Sequence, residues 1–149
     1  MKQFKSALPE IKLKYQPTEF RKTKISRSED AFMVLSQLYD KDTIEYFETS
    51  IALFLNRANN TIGWLQLSSG GMSCTIIDPK ILFATALKCG ASSIIISHNH
   101  PSGNLQPSTS DINLTKRVVE IGKLMEIPLL DHLVISAEGF KSMADEGLL

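Results

Sequence analysis

The chain predicts an α/β (α+β) domain, a mixed β-sheet flanked by helices. Three observations predict it. Segments with helical spacing of apolar residues alternate with β-branched runs; two such runs are separated only by an Asn-rich turn; and SSIIISH, residues 92–98, is apolar without alternation, as in a strand buried on both faces.

Residues 1–25 lack helical periodicity and are interrupted by Pro9 and Pro17, so they form a basic arm, partly extended, ahead of a domain spanning 26–149. Ser26 and Glu29 have capping-box spacing, and Ala31, Phe32, Leu35 and Leu38 then recur at helical intervals, which predicts a first helix over 27–39. ETSIALFLN (48–56), RANN (57–60) and TIGWLQLS (61–68) predict a hairpin. Gly70-Gly71 marks a bend, and SCTIID (73–78) reads as a short strand. Asp78 then caps a second helix with Pro79 at its first position, running over 79–89 and stopping at Gly90. A third helix starts near Ser108 and carries Leu114, Val118, Ile121 and Met125 on one face. Pro128 precedes another strand, LLDHLVIS (129–136), and Gly139 turns the chain into a closing segment, FKSMA (140–144).

The bulk numbers narrow the function. A chain of 149 residues, 43% hydrophobic and 21% charged, builds one soluble core without metal or disulfide staples. Sixteen basic residues balance sixteen acidic ones, which leaves no global excess of positive charge to attract nucleic acid. The arm is the exception, with eight basic residues against two acidic ones in residues 1–27; it is either a solvated tail or a contact for an acidic partner. Cys74 and Cys89 lack CxxC spacing and read as small buried groups. With no signal core and no apolar run long enough to span a bilayer, the expected location is the cytoplasm, away from membranes. Nothing in the sequence sets the oligomeric state.

Chemistry concentrates in SHNHPSGNLQPSTSD, residues 97–111. His98 and His100 stand two apart at a strand end, so both rings point to one side. Pro101 stops the strand and restricts His100. Asp111, three residues after Ser108, opens the next helix and would complete a His-His-Asp set, three of the four positions of a catalytic zinc. Ser-x-x-Asp is also a plain helix cap, and lone histidines usually hydrogen-bond rather than ligate; capping and ligation are compatible. Asp131 and His132 adjoin on a strand and face opposite ways; either a structural hydrogen bond or support of a ligand explains one of them. Trp64 reads as core or sheet surface, since no second aromatic adjoins it.

The pattern His-x-His-Pro, six residues, Ser, two residues, Asp resembles the JAMM (JAB/MPN) metalloenzymes, and HNHPSGNLQPSTSD looks like their bacterial RadC branch. ETSIALFLNRANN, the SSGG bend, DPKILFATAL and IPLLDHLVIS resemble RadC segments in the same order, over about residues 26–149. The resemblance implies a JAB/MPN, cytidine-deaminase-like architecture. It also implies one Zn2+ per chain held by His98, His100 and Asp111, with Ser108 a donor near the developing oxyanion. Glu48, opening ETSIALFLN, matches the family's general base, where the residues alone leave Glu45 as a competitor. The implied reaction is hydrolysis of an amide or isopeptide bond in a protein or peptide. Two other readings stay open: a non-catalytic interaction module of the MPN type, and a DNA-repair association. The helix-hairpin-helix region of full-length RadC proteins has no counterpart in this sequence, which looks like the shorter stand-alone form. An HNH nuclease is not indicated, because that name refers to residues spread over a ββα unit.

Overall fold

The structure, a computed structural model, describes residues 9–12, 14–15, 17–19, 21–70 and 77–149. Helix α1 (Ser28–Leu35) is shorter than its apolar spacing predicts. Its first turn is closed by Asp30 rather than by Ser26 and Glu29: the Asp30 carboxylate accepts the backbone N–H of Ser26 at 2.9 Å and of Arg27 at 3.1 Å. After Leu35 the bonds tighten to three-residue spacing, from Gln37 N–H to Val34 and from Leu38 N–H to Leu35. The helix ends, yet Leu38 and Tyr39 still pack on the core, which is why their spacing looked helical.

Strands β1 (Thr49–Leu55) and β2 (Thr61–Ser69) form the expected antiparallel hairpin. Its turn is built by asparagines: the Asn56 side chain accepts N–H groups of Ala58 and Asn60 at 3.0 Å each, and Asn59 takes a left-handed φ of +59°. The end of the arm runs beside it, with Lys24 bridged to Asn60 and Thr61 N–H bonded to Thr23 at 2.9 Å. Helix α2 (Pro79–Cys89) follows the sequence closely, from Asp78 accepting Lys80 N–H at 2.9 Å to Gly90 at φ +67°. Of the strand expected at SCTIID, residues 73–76 lie outside the described residues, as do the second glycine of the bend and Cys74, while Ile77 and Asp78 are not in a strand; Cys89 is half-buried rather than enclosed.

β3 (Ser93–Asn99), α3 (Thr109–Met125) and β4 (Leu129–Ile135) make a parallel strand–helix–strand unit, and β5 (Phe140–Ser142) turns back antiparallel on β4. The sheet order is β2-β1-β3-β4-β5, a mixed sheet as expected. Gly122 permits the tight exit from α3: a Cβ there would lie 2.7 Å from the Ile127 carbonyl. One face of the sheet packs Ala52, Phe54, Ile94 and Ile96 against α2 and α3; the other packs Ile51, Leu53, Leu55 and Ile95 against α1. The two central strands are therefore buried on both sides, the physical origin of the unalternating SSIIISH. No described helix is long and apolar enough to cross a membrane.

Alternation along β1 and β3 extends these faces to the end of the sheet. Ser50 stands directly across from His98 on the α2/α3 face, while Ser97 and Asn99 turn towards the α1 side. That end is where the parallel strands finish and α3 begins, the usual place for a site in such units.

Candidate metal centre

The site starts with how β3 ends. His98 is buried in the strand, and His100 N–H still bonds the Ile135 carbonyl at 2.9 Å, so the ladder holds both histidines in register. Pro101 then forces a turn, closed by Gly103 N–H on the His100 carbonyl at 3.0 Å, with Gly103 at φ +81°. The loop returns through buried Pro107 to Ser108, the N-cap of α3. Here the capping box is complete. Ser108 Oγ accepts Asp111 N–H at 3.1 Å, and Asp111 Oδ2 accepts Ser108 N–H at 2.7 Å. The cap orients Asp111 back towards the histidines.

His98, His100 and Asp111 converge as the sequence predicts, and could hold a metal ion. His98 Nε2 lies 2.9 Å from His100 Nε2; Asp111 Oδ2 lies 3.3 Å from the first and 3.4 Å from the second. Two donors bound tetrahedrally at about 2.0–2.1 Å are separated by roughly 3.3 Å, so the triangle needs only small adjustment around an ion.

The outer ring nitrogens explain why the inner ones are available. His100 Nδ1 donates to the Asn104 carbonyl at 2.5 Å. Behind His98 runs a buried chain that sequence reasoning left undecided: His98 Nδ1 lies 2.7 Å from His132 Nε2, His132 Nδ1 lies 2.6 Å from Thr115 Oγ1, and Thr115 donates to the Asp111 carbonyl at 2.7 Å. Each direction follows from the last. Since the Asp111 carbonyl can only accept, the Thr115 oxygen accepts from His132 Nδ1–H, His132 Nε2 is an acceptor, and His98 Nδ1 carries the hydrogen. In these tautomers both histidines present Nε2 lone pairs inward, as a metal ion would require. Asp131 faces the other way, accepting from Ser142 Oγ at 2.5 Å and Ala144 N–H at 3.0 Å.

A proton on either Nε2 would instead point at Asp111. Burial opposes ionisation of that carboxyl, but hydrogen bonds from His100 and His98 in that protonated form and the Ser108 N–H outweigh it and hold it well below the usual range, so a proton and a cation compete for the same Nε2 positions. The same Asp111 contact raises His100, against the opposing effect of burial. Full burial, then the neighbouring His98, keeps His132 well below its ordinary value and hence neutral.

Glu48 is buried immediately before β1, two residues ahead of Ser50, which pairs with His98. Tyr39 is raised by burial first and less by the Glu48 charge, which also adds to the Asp111 effect on His100. Glu45 is exposed and lines a cavity of about 260 Å³ with His100, Pro101 and Glu138. Ser50 Oγ, fully buried across from His98, has no hydrogen-bond partner among the described residues, as is also true of Ser68 and Ser93. Trp64 is half-exposed on edge strand β2, sheet surface as expected.

Fold and site together define an α+β domain with a triangle of metal-type donors at the carboxyl end of a parallel strand pair. Residues 25–148 match the RadC-like JAB domain, and the chain belongs to that family. It is 39% identical over 125 residues to a UPF0758 protein of Flavobacterium johnsoniae, covering 84% of this chain and 53% of that one. A UPF0758 protein of Clostridium perfringens is 38% identical over 144 residues, 96% of this chain and 62% of its own length. Another, from Latilactobacillus sakei, is 39% identical over 117 residues, 78% of this chain and 52% of that one. The chain thus spans a little over half the length of these relatives.

Proposed function

We propose that the protein is a zinc-dependent hydrolase of amide bonds, including the isopeptide type, in a protein or peptide substrate. The observation that carries this is the donor triangle of His98, His100 and Asp111, its Nε2 lone pairs turned inward by the His132–Thr115 chain and the Asn104 carbonyl. Two imidazoles and a carboxylate suit zinc, and three protein ligands leave a fourth position open. One ion per chain is expected. When bound there, zinc supplies an activated water and polarises the scissile carbonyl.

The rest falls to side chains of this chain. Glu48 would take the proton as the water oxygen attacks the carbonyl carbon, then pass it to the nitrogen as the C–N bond breaks. Burial on the ligand face favours Glu48 over exposed Glu45 for this role. Ser108 Oγ accepts from Asp111 N–H, which leaves its own hydrogen free to donate to the carbonyl oxygen as charge builds there.

Glu48→Gln tests the reading. With a fluorogenic library of peptides and isopeptides, wild type loaded with zinc is expected to cleave, and the variant to lose cleavage while keeping its zinc. Cleavage that survives in Glu48→Gln reassigns the base. Zinc retention without cleavage of any library member by wild type would move the assignment to an interaction module.

A further inference from the structure

The middle letter of His98-Asn99-His100 has no part in ligation, because alternation turns it to the opposite face from the two rings. Asn99 is fully buried, and its carboxamide makes three hydrogen bonds to backbone about 50 residues away in sequence. Oδ1 accepts Thr49 N–H at 2.7 Å; Nδ2 donates to the Ile44 carbonyl at 2.7 Å and to the Phe47 carbonyl at 2.8 Å. A flipped amide would set its NH₂ against an N–H and its oxygen against two carbonyls, so the orientation is determined.

These partners bracket Glu48. The Phe47 carbonyl belongs to the peptide unit before Glu48, and the Thr49 N–H to the unit after it. One side chain therefore holds both peptide units that flank the residue. The segment needs such a hold: residues 40–47 form consecutive turns, with Ile44 N–H on Asp40 and Phe47 N–H on Thr43, both at 2.9 Å, which leaves the Ile44 and Phe47 carbonyls pointing onward without turn partners. On the far side the Glu48 carbonyl accepts Gly70 N–H at 3.2 Å, and Thr49 enters the ladder opposite Ser69. Asn99 is itself fixed, since it is the last residue of β3 and lies between the two histidines.

We propose that Asn99 is a positioning residue that sets Glu48 against the His98–His100 centre, so that ligands and base are placed by one three-residue stretch. This rests on the reading of Glu48 as the base. The direct consequence is that the amide can be changed without touching a ligand. Asn99→Asp keeps size and the acceptor for Thr49 N–H but loses both donors, and faces a carboxylate onto two carbonyls.

The test uses the full chain loaded with Co2+, whose visible spectrum reports the ligand set and, on titration with base, the ionisation of coordinated water. Wild type, Glu48→Gln and Asn99→Asp are compared. The expected result is that Asn99→Asp keeps one cobalt per chain and the wild-type band intensities, yet its titration midpoint moves in the same direction as in Glu48→Gln. An Asn99→Asp midpoint equal to wild type, with Glu48→Gln displaced, overturns the positioning role. If Glu48→Gln itself leaves the midpoint unmoved, the base assignment fails and the positioning role goes with it. A second arm covers a poorly folded aspartate variant: in Asn99→Ser, amide hydrogen exchange should quicken in peptides covering 44–50 and stay unchanged in 93–98. Uniform quickening in both, or none in 44–50, contradicts the proposal.

Discussion

Thr115 decides which nitrogen of His98 is free, although it touches no ligand ring. Its hydroxyl accepts from His132 and donates to the Asp111 carbonyl, and replacing it by valine keeps the shape but removes both bonds. Leaving the buried imidazole N–H of His132 unpaired costs about 1–3 kcal/mol. Zinc affinity in Thr115→Val and His132→Gln should fall roughly 10–100-fold, measured by competition with a chromophoric chelator. An affinity equal to wild type would show that the chain is structural only. A pH dependence follows from His132, held well below its ordinary value by burial and by His98. The unfolded chain binds a proton near pH 6.5 that the folded chain refuses, so metal-free protein loses stability as pH falls through that value, by at most about 1.4 kcal/mol per pH unit from this group. The advantage of wild type over His132→Gln in urea denaturation should therefore narrow from about pH 8 to about pH 5; a gap that widens towards acid would contradict the neutral assignment. His98, His100 and Asp111 were legible because they lie within fourteen positions and share a strand end and a helix cap. Thr115 and Asn99 were not, and His132 stood open between a structural bond and support of a ligand, because their partners are brought to them only by sheet register and the packing of α3.

At the scale of elements, α3 carries a double duty at its first turn. Ser108 and Asp111 satisfy the orphan N–H groups there, and the same bonds aim the carboxylate at the histidines. Its last turns depend on Gly122, where a Cβ would meet the Ile127 carbonyl at 2.7 Å. Gly122→Ala should cost about 1–3 kcal/mol, because a backbone atom cannot step aside as a side chain can. Thermal unfolding checks this, and a variant as stable as wild type would show that the 126–128 return relaxes freely. α2 and α3 were readable from their ends, since Asp78-Pro79, Gly90 and Ser108 are local signals of caps. α1 was overextended because Leu38 continues an apolar period after the helical bonds have stopped, and periodicity records burial, not hydrogen bonding. β5, three residues long, is a strand only through its pairing with β4, which no local signal in FKSMA announces.

At the scale of the molecule, the sheet is the frame that brings β1, β3, α3 and β4 to one end, where a metal would link the end of β3 to the first turn of α3. The balance of sixteen basic and sixteen acidic residues favours a site-directed role over bulk electrostatic attraction. Binding that favours only the folded state must stabilise it: at a free zinc concentration a hundredfold above Kd the gain is about 2.7 kcal/mol, a rise in Tm of roughly 5–10 °C for a chain of this size. Chelation should reverse that rise, and His98→Ala should abolish it. The central claim is tested most directly by the metal content of tag-free protein by mass spectrometry, for wild type, His98→Ala and Asp111→Ala. About one zinc per wild-type chain is expected, lost in both variants. Wild type without metal after zinc is supplied, or zinc retained in both variants, would contradict it.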